Sequence, residues 1–183
     1  KSQSNSKKEK MAQEKYSVVE KKLFELKEKK ATQANDQTDK SKEPKKDEKK
    51  VEVTSLDFDH IKGDLQKIIS DYPKTVAAQM ASVHYSSLLI EDKKYDEALE
   101  ILKKTENFVD GLVSFLVTQQ IGQVLADKNN CNEAIVVWSK ILSQKKADFL
   151  HNEVKIQQAL CYAKNNDFSK AEEILTNMAN QPI

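Results

Sequence analysis

The chain has 183 residues, 38% of them hydrophobic and 32% charged, with 30 basic and 29 acidic side chains for a formal net charge of +1. That balance argues against a surface that coats nucleic acid or anionic lipid wholesale, and because every base is lysine there is no arginine fork to grip phosphate or guanine. Three Gly and three Pro are too few to turn a many-stranded β-sandwich or line a glycine-rich phosphate loop, and no apolar run reaches the roughly 18 residues that cross a bilayer.

The chain opens with a charged helix expected over residues 7–30. Ala12, Tyr16, Val19, Leu23 and Leu26 recur at steps of 4, 3, 4 and 3, a single apolar stripe on a lysine-rich rod. Such a stripe needs cover, and docking onto the rest of the chain is expected over a partner helix. Residues 31–50 hold no large apolar side chain, so residues 31–56 read as a disordered lysine-rich linker. Residues 1–56 carry 16 Lys against 11 acids and residues 57–183 carry 14 against 18, so the near-neutral total hides a +5 segment and a −4 segment. A helix then follows over 58–71, with Ile61, Leu65, Ile68 and Ile69 inward and Asp71-Tyr72-Pro73 closing it.

From residue 57 onward the chain repeats itself. KKYDEALEIL (93–102), NNCNEAIVVW (129–138) and NNDFSKAEEIL (165–175) align on Ala98, Ala134 and Ala171, at spacings of 36 and 37 residues. Three positions earlier stand Tyr95, Cys131 and Phe168, and four later Leu102, Trp138 and Leu175. Twelve positions earlier come the small Ser86, Gly122 and Ala159, and nine earlier the large Leu89, Leu125 and Tyr162. Small residues let two helix backbones approach, and the large ones fill the groove toward the neighbouring pair. The turns Asp92-Lys93-Lys94, Lys128-Asn129-Asn130 and Asn165-Asn166-Asp167 are polar, as a short helix–helix turn tolerates.

This small–large–Ala–large pattern resembles the tetratricopeptide repeat (TPR) family, in three units over about residues 75–179. The resemblance implies an all-α stack of antiparallel helical hairpins forming a short right-handed superhelix. Its units would be a half repeat at 57–73 and repeats at 75–108, 111–145 and 148–179, with the helix at 1–30 as the first half of a split, degenerate repeat. The aromatic that usually opens the first helix is missing, and Cys131 replaces an aromatic. The layout, with its "DYPKTVAAQMA" junction, is similar to the YfgM-like family of bacterial inner-membrane proteins, whose periplasmic TPR domains associate with the SecYEG translocon and periplasmic chaperones. That likeness implies a non-enzymatic interaction scaffold on the periplasmic face of the inner membrane, with a protein partner, no nucleic acid, and membrane contact only through an anchor upstream of Lys1. An envelope-assembly or cell-division TPR adaptor is the alternative, with a cytoplasmic location as the second choice. A lysine-rich nucleic-acid or membrane-surface binder acting through residues 1–56 is the reading of a different class. By family geometry the concave, partner-binding face would hold Met80, Val83, Ser87, Leu116, Gln119, Gln123, Glu153, Ile156 and Leu160, though Met80, Val83, Leu116 and Ile156 equally suit an ordinary core. The face lacks the Lys/Asn pairs that clamp a peptide carboxylate, so apolar and amide contacts are expected there.

No catalytic, cofactor or metal site is expected. His60, His84 and His151 are scattered, and Ser86-Ser87 lies in a predicted helix with no glycine elbow. The acid pairs Asp96/Glu97 and Glu172/Glu173 are placed in first turns of second helices, where the helix dipole accounts for them. Cys131 and Cys161 show no CxxC spacing and are read as small buried hydrophobes, neither metal ligands nor a disulfide framework. The repeat register makes one direct prediction. Ala134→Leu overpacks a helix–helix contact and lowers stability by roughly 1–3 kcal/mol, measurable by thermal unfolding; an unchanged melting temperature would contradict the register.

Overall fold

The computed structural model describes residues 2–38 and 53–180, and the helices there are α1 (Ser2–Thr38), α2 (Ser55–Asp71), α3 (Val76–Glu91), α4 (Tyr95–Thr105), α5 (Leu112–Asp127), α6 (Cys131–Leu142), α7 (Asp148–Lys164) and α8 (Phe168–Ala179). The described residues are all-α, with a single 3-10 turn at Lys145–Ala147 before α7. Each helix packs against the next in the chain, and α1, α3, α5 and α7 also touch in series along one layer.

Three turns of one design set the hairpins. Lys93, Asn129 and Asn166 all sit at φ near +60°. The following N–H groups of Lys94, Asn130 and Asp167 donate back to the carbonyls of Leu89, Leu125 and Tyr162 at 2.8, 2.8 and 2.9 Å. This is the Schellman closure, in which a left-handed residue lets two terminal carbonyls find donors. Asparagine tolerates that conformation better than other side chains, which explains two of the three positions and leaves Lys93 as the strained one. Asp96 and Glu97 do fall in the first turn of α4, whereas Glu172 and Glu173 lie beyond the first turn of α8.

The repeat positions pack as their sizes suggest in the first two units. Ala98, Ala134, Leu102 and Trp138 are completely buried. Gly122 is required by the tryptophan: a Cβ there would fall inside the Trp138 indole, whose Nε1 donates to the Gln119 carbonyl at 3.1 Å. Buried amides find carbonyls: Gln79 donates at 3.1–3.2 Å to Thr105, Glu106 and Val109 at and beyond the end of α4, and Gln158 at 3.1 Å to Ile135 within α6. The third unit departs. Leu175 is 49% exposed and Phe168 63% exposed, because no described helix packs beyond α8.

At the other end α1 docks on α2 and α3. Its Ala12, Tyr16, Val19 and Leu23 join the core with Ile61, Leu65, Ile68 and Ile69, and Leu26 packs at its edge. The carboxylate of Glu9 accepts from the N–H groups of Val76 and Ala77 at 3.0 and 3.3 Å, capping α3 from outside its own chain segment. Lys27 and Lys30 meet Glu91 at 3.8 and 3.7 Å at the far end of α3, so the two helices run parallel. Helix α1 continues to Thr38, eight residues into the stretch expected to be linker. The extension needs no apolar burial, since propagating a helix already nucleated costs little, and Gln33 accepts from the Val53 N–H at 3.3 Å. Of the rest of the expected linker, residues 39–52 lie outside the described residues, and its end is also helical: α2 starts at Ser55, because Thr54 and Asp57 form a capping box there.

One polar atom in the α1–α3 seam lacks a partner. His84 is stacked on Tyr16 and edged by Phe24, and its buried Nε2 lies 3.6 Å from Glu20, too far for a hydrogen bond. Glu20 instead accepts from the Tyr16 hydroxyl at 2.7 Å, and burial together with that carboxylate pushes the phenol far up, keeping it a donor. Burial, with a smaller push from Lys27, holds the imidazole below its ordinary value even though Glu20 opposes the shift. The folded chain thus keeps His84 neutral where the unfolded chain, titrating near pH 6.5, already takes up a proton. Its contribution to stability is complete above about pH 6.5 and is lost as the pH falls below it. Denaturant unfolding between pH 7.5 and 5 is expected to show this loss, reduced in His84→Gln; superimposable pH profiles for the two chains would contradict it.

Candidate functional site

The layer of first helices presents three rows of side chains repeating every 36 or 37 residues: Met80, Leu116 and Glu153; Val83, Gln119 and Ile156; Ser87, Gln123 and Leu160. These are the nine residues expected on a concave face, and the structure divides them. Met80, Val83 and Leu116 pack against the core. All three are half-buried, where α1 lies along α3 and α3 lies along α5. Ser87 is half-buried and accepts from Gln120 at 3.1 Å, joining α3 to α5. Gln119 is half-buried, its carbonyl engaged by Trp138. Glu153 and Ile156 are exposed on α7.

Gln123 and Leu160 do come together. Helix α7 meets α5 over a much shorter stretch than α5 meets α3, and between them opens a groove of about 530 Å³. Gln123, Ala126 and Asp127 line it from α5, and Gln157, Leu160, Cys161, Ala163 and Lys164 from α7. Leu160 is 54% exposed there. The two amides are held by acids one turn away, Gln123 donating to Asp127 at 3.1 Å and Gln157 to Glu153 at 2.9 Å. A groove that combines an exposed leucine with fixed amides can take up both the side chains and the backbone groups of a polypeptide.

Gln157 escaped the sequence reading although its signal was present: it is the counterpart of His84 and Gln120, one residue beyond the Val83–Gln119–Ile156 row. A second groove of about 370 Å³ lies between α1 and α2, lined by Lys15, Lys22 and Lys67, by Glu14, Asp64 and Asp71, and by apolar side chains that include Val18 and Ile68. No group of three or more His, Cys, Asp or Glu among the described residues is placed to hold a metal ion.

The cysteines overturn their reading from sequence. Cys131, at the first turn of α6, is bonded to Cys161 on α7, with Cα atoms 5.2 Å apart. Both are buried, as expected of core positions, but they are covalently paired. Sequence spacing alone could not find this pair, because 30 residues of helix and turn intervene and the contact is made between hairpins. Against known proteins the chain stands apart: no family model, curated protein or solved structure matches it.

Proposed function

We propose that this chain is a TPR-like, non-enzymatic scaffold of the bacterial envelope that docks a protein segment in the groove between α5 and α7. The observation that carries this reading is the groove's lining, which brings exposed Leu160 together with the amides of Gln123 and Gln157. The repeated turns and the parallel layer of first helices support a TPR-like superhelix. The disulfide supports an oxidising compartment, since such bonds persist in secreted and periplasmic proteins and are rare in the reducing cytosol. That compartment is the one expected of a periplasmic domain tethered to the inner membrane. The secretion translocon and periplasmic chaperones are the partner classes that the YfgM-like resemblance suggests.

The test is binding of purified SecYEG in detergent, and of purified periplasmic chaperones, to the full chain and to Leu160→Lys. Groove docking predicts at least about a tenfold loss of affinity in the variant, an unchanged melting temperature, and little response to a tenfold rise in salt. Binding that is indifferent to Leu160→Lys but collapses with salt would instead assign recognition to the lysine-rich residues 1–56. Absence of binding to either partner class, with binding to envelope-assembly or division proteins, would favour the adaptor reading.

A further inference from the structure

The disulfide joins α6 to α7, hence two successive hairpins rather than the halves of one. Counting from the repeat alanines, Cys131 stands where the other units have Tyr95 and Phe168, and Cys161 where they have Leu88 and Val124. The same seam between the two preceding hairpins is therefore closed without a covalent bond. The hairpin it holds is attached to the stack chiefly through the one seam between α6 and α7. Helix α8 buries only Ala171, no described helix covers its outer side, and α7 touches α5 only briefly.

The two sulfurs are not equivalent. Cys161 lines the groove between α5 and α7, beside Gln157 and Leu160, whereas Cys131 occupies the first turn of α6. Helix N-termini favour an anion, so Cys131 is the better leaving thiolate, and Cys161, although only 2% exposed, is the sulfur on the groove wall that an outward shift of α7 uncovers.

We propose that Cys131–Cys161 is a thiol–disulfide exchange site, opened through the α5–α7 groove by an external dithiol, and that its cleavage frees the hairpin α7–α8 to swing off the stack. One thiolate of the dithiol attacks the Cys161 sulfur, the Cys131–Cys161 bond breaks, and Cys131 leaves as thiolate and takes up a proton. The second thiolate of the reagent then attacks its own sulfur in the mixed disulfide, displacing Cys161, which is protonated in turn. The protein gains two electrons and two protons, and the dithiol is oxidised to its cyclic disulfide. Removing the cross-link restores the freedom of the chain between residues 131 and 161, so local opening of the hairpin becomes far more frequent. The switch acts on the wall of the groove whether or not a partner occupies it.

The experiment is hydrogen exchange with mass spectrometry on the full chain, before and after treatment with dithiothreitol, with alkylation to count free thiols. Two thiols should appear under native conditions. Exchange in α7 and α8 should rise at least about tenfold while α1 to α5 stay within about twofold. The variant Cys131→Ala/Cys161→Val, whose valine copies Val124 at the equivalent position, should exchange at the reduced rate with or without dithiothreitol. The wild-type comparison decides the matter even if that variant folds poorly. Failure of the native disulfide to react, unchanged exchange in α7 and α8 after reduction, or an equal rise along the whole chain would each overturn the proposal.

Discussion

A helical hairpin has two faces and can bury only one against itself, so every pair in this chain depends on the pair before it. The contact that starts the series is the seat of α1 on α2 and α3. Without it Ile61, Leu65 and Ile68 would face water and the first turn of α3 would lose the Glu9 carboxylate that caps it. Burying side chains such as Tyr16, Val19 and Leu23 stabilises by about 1.5–3 kcal/mol each. Their sum is comparable with the whole stability of a typical domain, about 5–15 kcal/mol. The docking expected of the apolar stripe is therefore what the structure shows, and the lysine-rich helix is a structural member.

The two ends of the stack are finished by different means. At the N-terminal end α1 supplies an apolar stripe, a carboxylate cap and ion pairs along the length of α3. At the C-terminal end burial is thin, and a cross-link joins α7 to its neighbour instead. Such a bond stabilises mainly by restricting the unfolded chain, by about 3–4 kcal/mol for a loop of this length. Burial is densest in α3 and falls to the single residue Ala171 in α8, and the candidate groove lies against the hairpin that α8 completes. A binding surface at the boundary between firm and loose elements suits a partner that must be admitted and released.

Much of this was legible before the structure. The 3.6-residue stripe of α1 and the 36–37-residue alignment are signals of periodicity, which survives because it is set by packing geometry. The polar turns were legible as well, though not the left-handed residue common to Lys93, Asn129 and Asn166. The helical continuation through residues 31–38 was missed because absence of apolar side chains argues against burial, not against helix. For Met80, Val83 and Leu116 the sequence left face and core equally open, because the repeat gives their row but not how closely α1, α3 and α5 approach one another; they pack against the core. The disulfide was missed because pairing between hairpins leaves no local motif.

The central claim is that α1 is an integral part of the stack, and the most direct measurement is thermal unfolding with molar mass determination for the full chain and for residues 51–183. The account predicts that the shorter chain melts well below the full one at the same oligomeric state, having lost the cover of Ile61, Leu65 and Ile68. An unchanged melting temperature, above all with a fall from dimer to monomer, would show that α1 serves an association between chains rather than the fold of one.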